Sequence, residues 1–233
     1  MRRTIGYSLS CWGIALAATP GSALADNLTC GDPAAALIDD FEDGNTLTPD
    51  GFGGWYLAND GTGTQLPRDV SGLVVPGGRG DSRFSAHTSG EGFTEWGAVV
   101  GVGFGCARSV EAFDGFRFAI QAAAGTFDVK LVTLATQSED TGGECTEVCN
   151  DHFALPLAVA DGRWYECSVR FEDLAQQCWG TAVDLDLNAA TGIEVFHPAN
   201  ASFITTLDDL RFESELSQSG CVALEPQLQC ETE

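Results

Sequence analysis

Positive charge is scarce in this 233-residue chain: 11 Lys and Arg stand against 34 Asp and Glu, for a formal net charge of −23. That deficit excludes the basic face that nucleic acid or an anionic membrane requires. Histidine is also rare. His87, His152 and His197 stand apart, with no HExxH spacing and no Gly-x-Ser-x-Gly elbow to mark a metalloprotease or a serine hydrolase. Helical periodicity is missing as well, and FEDLAQQ (171–177) offers at most a short helical turn. Past residue 25 no apolar run is long enough to span a bilayer. There is no internal repeat and no low-complexity linker.

What is present begins with a leader. MRRTIGYSLSCWGIALAATPGSALA has a basic start (Arg2, Arg3), an apolar stretch to Ala18 and the small-x-small triplet Ala23-Leu24-Ala25. This pattern predicts a secretory signal peptide over residues 1–25, cleaved after Ala25 by either the Sec or the twin-arginine route. The protein is therefore expected to be secreted, periplasmic or on the cell surface. Without Arg2 and Arg3, 9 basic residues face 34 acidic ones, a net charge of −25. Nine cysteines less Cys11 leave eight, an even number in a compartment that permits disulfides. Spacing suggests Cys145 with Cys149, Cys221 with Cys230, and Cys167 with Cys178, and leaves Cys30 and Cys106 open. Asp151 and His152 beside the first pair raise a zinc alternative. Structural zinc draws ligands from two knuckles and here there is one, so a disulfide-closed loop is expected.

From residue 37 the chain is a series of short apolar or alternating runs broken by Gly, Asp, Asn and Pro. They are Leu37–Phe41, Gly54–Ala58, Arg83–His87, Trp96–Phe104, Phe113–Ala122, Phe127–Thr136, Phe153–Ala158, Arg163–Phe171, Ala182–Leu187, Gly192–Phe196 and Ser202–Phe212. Alternation is clean in VDLDL (Val183, Leu185, Leu187) and in GFRFAI (Phe116, Phe118, Ile120). Short strands at this spacing, with 28 glycines for turns, predict an all-β antiparallel sandwich or jelly roll. Residues 26–35 read as a lead-in, 36–214 as the sandwich, and 215–233 as an irregular tail tied by cysteine.

Two segments at opposite ends carry paired acids among apolar residues: LIDDFEDG (37–44) and LDDLRF (207–212). Alternation places Asp39 with Leu37 and Phe41, and Asp208 with Leu210 and Phe212, so one acid of each pair shares a face with core residues. A buried carboxylate must be paired, protonated or bound to a cation. Calcium, which accepts several carboxylate and backbone oxygens, is one answer, and solvated strand ends are the other.

The order LIDDFEDG, GGWY (53–56), EGFTEWGAVVGVGF (91–104), FDGFRFAIQA (113–122), FDVKLVTLATQ (127–137), RWYECSVRFEDLAQQCWG (163–180) and LDDLRF resembles family 11 carbohydrate-binding modules. These are exported bacterial β-sandwiches of the galactose-binding-domain-like type. The resemblance covers residues 36–214. It implies a jelly roll with adjacent first and last strands, and a structural calcium ion held by Asp40, Glu42 and Asp208 or Asp209. It also implies aromatic platforms for sugar rings. Trp55, Tyr56 and Trp179 are the platform candidates, with Arg83 and His87 lining a cleft, while Trp96 and Trp164 are expected in the core.

The RGD triplet at 79–81 and the glycine-rich GVGFG (101–105) are chance matches by their context. Adjacent acids suit ligands better than a separated glycosidase pair. A monomeric, non-catalytic polysaccharide or oligosaccharide binder is expected, without nucleic-acid or membrane partners. The alternative is a surface-interaction domain that keeps the scaffold without sugar binding.

Overall fold

The computed structural model describes residues 35–224. The signal-peptide and lead-in expectations, Cys30 and Cys230 lie outside them. Thirteen strands form: β1 (Leu37–Asp39), β2 (Gly54–Asn59), β3 (Thr64–Leu66), β4 (Val74–Pro76), β5 (Phe84–Glu91), β6 (Gly97–Arg108), β7 (Gly115–Ala122), β8 (Gly125–Thr133), β9 (Phe153–Val159), β10 (Trp164–Arg170), β11 (Ala190–Pro198), β12 (Phe203–Glu213) and β13 (Gly220–Ala223). An eight-stranded sheet runs β13-β10-β7-β12-β5-β3, with β1 also on β12 and β4 also on β5. A five-stranded sheet runs β2-β6-β11-β8-β9. All named strand pairs are antiparallel, as the alternation predicts.

The core is what the two inner faces share. Val100, Val102, Phe104, Val129, Leu131, Ile193 and Val195 from the smaller sheet meet Phe116, Phe118, Ile120, Val169, Leu207 and Phe212 from the larger. Each buried side chain of this size contributes about 1.5–3 kcal/mol against exposure, which fixes the register of both sheets.

The expected adjacency of first and last strands holds. β1 pairs β12 at Leu37↔Arg211 and Asp39↔Leu210. β12 changes neighbour along its length: β5 flanks it from Phe203 to Leu207, and β1 takes over at Leu210. At the changeover the ladder to β7 shifts register between Asp208 and Arg211, and Asp209 has φ 52°. This bulge breaks the expected phase. Leu207 and Asp208 are both buried, whereas strict alternation would turn Leu207 outward. A similar irregularity in β1 buries Ile38 beside Asp39 and leaves Leu37 42% exposed.

Several expectations are corrected. Residues 182–187 form no strand, although Val183, Leu185 and Leu187 do pack on the core. Alternation reports one buried face and says nothing about a neighbour to pair with. Cys145 joins Cys149 as expected. Cys167 joins Cys221 directly across β10 and β13, which overturns both Cys167–Cys178 and Cys221–Cys230. The tail is thus partly a strand, pinned to the sheet at its second residue. Trp96 falls just before β6 and is 43% exposed, and Trp164 is half-buried on the outer side of β10, so neither is core.

Candidate functional site

The acids of β1 and β12 reach a common neighbour, the segment from Gly77 to Phe84. Glu42 accepts Arg83 Nε at 2.9 Å, Arg83 N at 2.8 Å and Ser82 Oγ at 2.8 Å. Arg83 first, then Ser82, hold the Glu42 carboxyl down at about 2. Asp208 accepts Arg79 N at 2.8 Å, and Ser82 stands beside its carboxylate. Burial pushes the Asp208 carboxyl up, against those hydrogen bonds. Glu42 and Asp208 therefore flank the same serine. Asp209 is held elsewhere by Arg79 Nε at 2.8 Å, and Asp40 accepts Glu42 N at 3.2 Å within its own turn.

Four oxygens gather here, that of Ser82 among them. Ser82 Oγ lies 2.7 Å from Phe84 O and 2.8 Å from Glu42 Oε1. A Cβ added at Gly78 would stand 2.5 Å from Asp208 Oδ2, 2.7 Å from Ser82 Oγ and 2.8 Å from Phe84 O. One hydroxyl hydrogen cannot serve both Glu42 and Phe84 O. Among the described residues no group of three or more His, Cys, Asp or Glu side chains gathers around a metal-sized point. An ion held here would thus rest on Glu42 and Asp208, with a hydroxyl and a carbonyl. Those are hard oxygen donors of the kind calcium takes.

A fifth acid, Asp39, is fully buried. Its carboxylate accepts Trp55 Nε1 at 2.7 Å and Phe41 N at 2.8 Å, yet burial outweighs both and raises its pKa to about 6. Trp55, expected as a platform, is 6% exposed and packs its ring 4.9 Å from Phe41. The inward phase of β2 that puts Leu57 on the core puts Trp55 there as well. Arg83 belongs to the acid cluster. His87 lies on the outer side of the eight-stranded sheet, 2.9 Å from Thr206 Oγ1. The proposed cleft residues are therefore not brought together.

A different set converges on the outer face of the five-stranded sheet. With Leu57, Val100, Val129 and Val195 turned inward, their neighbours point out. Register aligns Tyr56, Gly101, Glu194 and Lys130 in one row across four strands. The next row is Val99, Phe196, Asp128 and Pro156. Tyr56 lies down across Gly101, whose added Cβ would meet the phenol carbon Cζ at 2.6 Å, and donates to Glu194 Oε1 at 2.7 Å. Burial raises Glu194's pKa and lowers that of Lys130. Lys130 Nζ sits 3.9 Å from the centre of the Phe196 ring, and Trp96 stacks on Phe196 at 6.3 Å and 18°.

Both exposed tryptophans are held by aspartates. Asp60 Oδ2 accepts Glu95 N at 3.1 Å and Gly97 N at 2.8 Å, one on each side of Trp96. Burial raises the Asp60 carboxyl, but Thr62 and these amides more than offset it and hold it at about 2. Asp151, itself buried, accepts Gln177 N at 3.0 Å and the amides of Trp179 and Gly180 at 3.1 Å each. Trp179 is 53% exposed, on a segment that bridges to the β9 edge at Ala154↔Ala175. Gln177 Nε2 donates to Asp128 Oδ2 at 3.1 Å, tying that segment to the outer face. Of the expected binding residues, Tyr56 and Trp179 adjoin this face. Sequence reasoning missed Glu194, Lys130, Asp128, Phe196 and the exposure of Trp96.

No described protein family matches the sequence, and no curated protein does. Solved structures do match. A family 11 carbohydrate-binding module from Clostridium thermocellum, in complex with a β-1,3-1,4-mixed-linked tetrasaccharide, is similar at a TM-score of 0.51 and 17% identity, covering 78% of this chain and 97% of that one. The family 11 module of a cellulosomal cellulase from Clostridium thermocellum matches at 0.51 and 16%, over 81% and 99%. A solution structure of a family 11 module gives 0.50 and 14% over the same shares. The likeness is one of fold: an antiparallel β-sandwich of the carbohydrate-binding-module type.

Proposed function

We propose that this protein binds a carbohydrate without chemically altering it, on the outer face of its five-stranded sheet. The observation that carries this reading is the exposed Trp96, stacked on Phe196 beside Lys130, Asp128 and Glu194. A pyranose offers an apolar C–H face to an aromatic ring and a rim of hydroxyls to charged groups. Rings and charges on one sheet face meet both needs. The two family 11 modules with bound or cellulase-linked roles support the reading by fold. The disulfides Cys145–Cys149 and Cys167–Cys221 fit a protein that works outside the cytoplasm.

The test is affinity electrophoresis and titration calorimetry against neutral β-glucans, xylan, galactan and polygalacturonate. At least one glycan is expected to bind, with Trp96→Ala and Phe196→Ala each weakening it about tenfold or more, or at least 1.4 kcal/mol. Binding to none, or unchanged affinity in both variants, rejects the reading.

Calcium belongs to the same proposal in a structural role. It rests on the oxygens of Glu42, Ser82, Phe84 and Asp208 gathered around Gly78. When bound, the ion would supply positive charge between two carboxylates and link the turn after β1 to β12. Asp40 and Asp209 take no part in that set, since each is held in another contact.

A further inference from the structure

Lys130 is the chain's single lysine. It stands on β8 with Glu194 directly opposite on β11, Asp128 two residues before it on the same face, and the Phe196 ring under its ammonium. The residue is only 7% exposed, and its ammonium makes no hydrogen bond and no ion pair among the described residues. An ammonium on a largely buried side chain is costly unless something accepts from it. The ring offsets part of that cost, about 2 kcal/mol at most for a desolvated pair.

Neither neighbouring carboxylate closes on Lys130, because other donors hold them. Glu194 Oε1 takes the Tyr56 hydroxyl at 2.7 Å, and Asp128 Oδ2 takes the Gln177 amide at 3.1 Å. Each carboxylate keeps lone pairs to spare. The face thus presents one group that only donates between two that only accept.

Resting on the sugar-binding reading, we propose that Lys130 donates to a vicinal diol of a neutral sugar unit, that Asp128 and Glu194 accept that diol's hydrogens, and that this set excludes uronic acids. A hydroxyl both accepts and donates, so two adjacent hydroxyls satisfy a donor and its flanking acceptors together. A uronate keeps hydroxyls, but its carboxylate set against Lys130 in their place would accept without giving anything to Asp128 or Glu194. It would also add negative charge beside those two and Asp151, which already acts on Lys130. Like charges at such spacing repel strongly in a partly desolvated site.

The experiment uses the full chain, the tightest neutral glycan of the panel above, its O-methylated derivative and polygalacturonate. Wild type is expected to bind the native glycan at least tenfold more tightly than the methylated one, which retains acceptors and lacks donors. Lys130→Met, which keeps the reach and loses the donors, is expected to lose about tenfold on the native glycan while its melting temperature holds. If Lys130→Met binds as wild type while Trp96→Ala remains weak, the inference falls and the sugar-binding reading stands. Equal wild-type affinity for native and methylated glycan, or a preference for polygalacturonate, overturns it without any variant. Binding to nothing in the panel ends both.

Discussion

Asp39 has no exposed surface, yet it carries a carboxyl against the indole of Trp55. Burial moves its pKa from 3.8 to about 6. The folded form therefore keeps a proton that the unfolded form has lost between those two values. The resulting stabilisation is complete below pH 3.8 and disappears as pH rises through about 6. The gap corresponds to about 3 kcal/mol. The melting temperature, measured with chelator present, is expected to rise as pH falls from 7 to 5, and Asp39→Asn should flatten that slope. A wild-type curve level across this range would refute it. The paired acids were legible in the sequence as a feature needing an explanation. Alternation also picked out Asp39 and Asp208 as the inward members, and both are fully buried; what it missed is that Ile38 and Leu207 turn inward beside them, because irregularities in β1 and β12 shift the phase.

At the level of elements, the connection between β5 and β6 (residues 92–96) shows how an exposed ring is kept in place. Gly97 has φ +113°, and a Cβ there would stand 2.1 Å from His197 O, so only glycine lets β6 start so close to β11. That start leaves Trp96 one residue outside the ladder, where Asp60 fixes the amides on both sides. Asp60→Ala frees those amides, each bond worth about 1 kcal/mol. Glycan affinity is expected to fall between threefold and tenfold, chiefly through faster dissociation, while the sandwich still melts cooperatively. Unaltered dissociation would show that the clamp does not serve the ring. The apolar run WGAVVGVGF hid this arrangement, since nothing local distinguishes its first residue from the strand that follows. Phe196 and Glu194 were more readable: in GIEVF they fall opposite Ile193 and Val195, an aromatic on the polar side of a strand.

For the molecule as a whole, the sandwich could be read from the order of runs, and the meeting of β1 with β12 followed from the resemblance to family 11 modules. The sheet memberships and the Cys167–Cys221 link could not, because both depend on contacts far apart in the chain. Stability at this scale tests the calcium proposal. Millimolar calcium is expected to raise the melting temperature of the chelator-treated protein by several degrees, and Asp208→Asn or Glu42→Gln should remove that response. No shift with calcium would leave Arg79 and Arg83 as the sole countercharges to these acids and dismiss the ion. The course of the strands has one more consequence. β1 and β13 both belong to the eight-stranded sheet, so the described chain enters and leaves through that layer. The ends of the described residues and the Trp96 face thus belong to opposite layers of the sandwich.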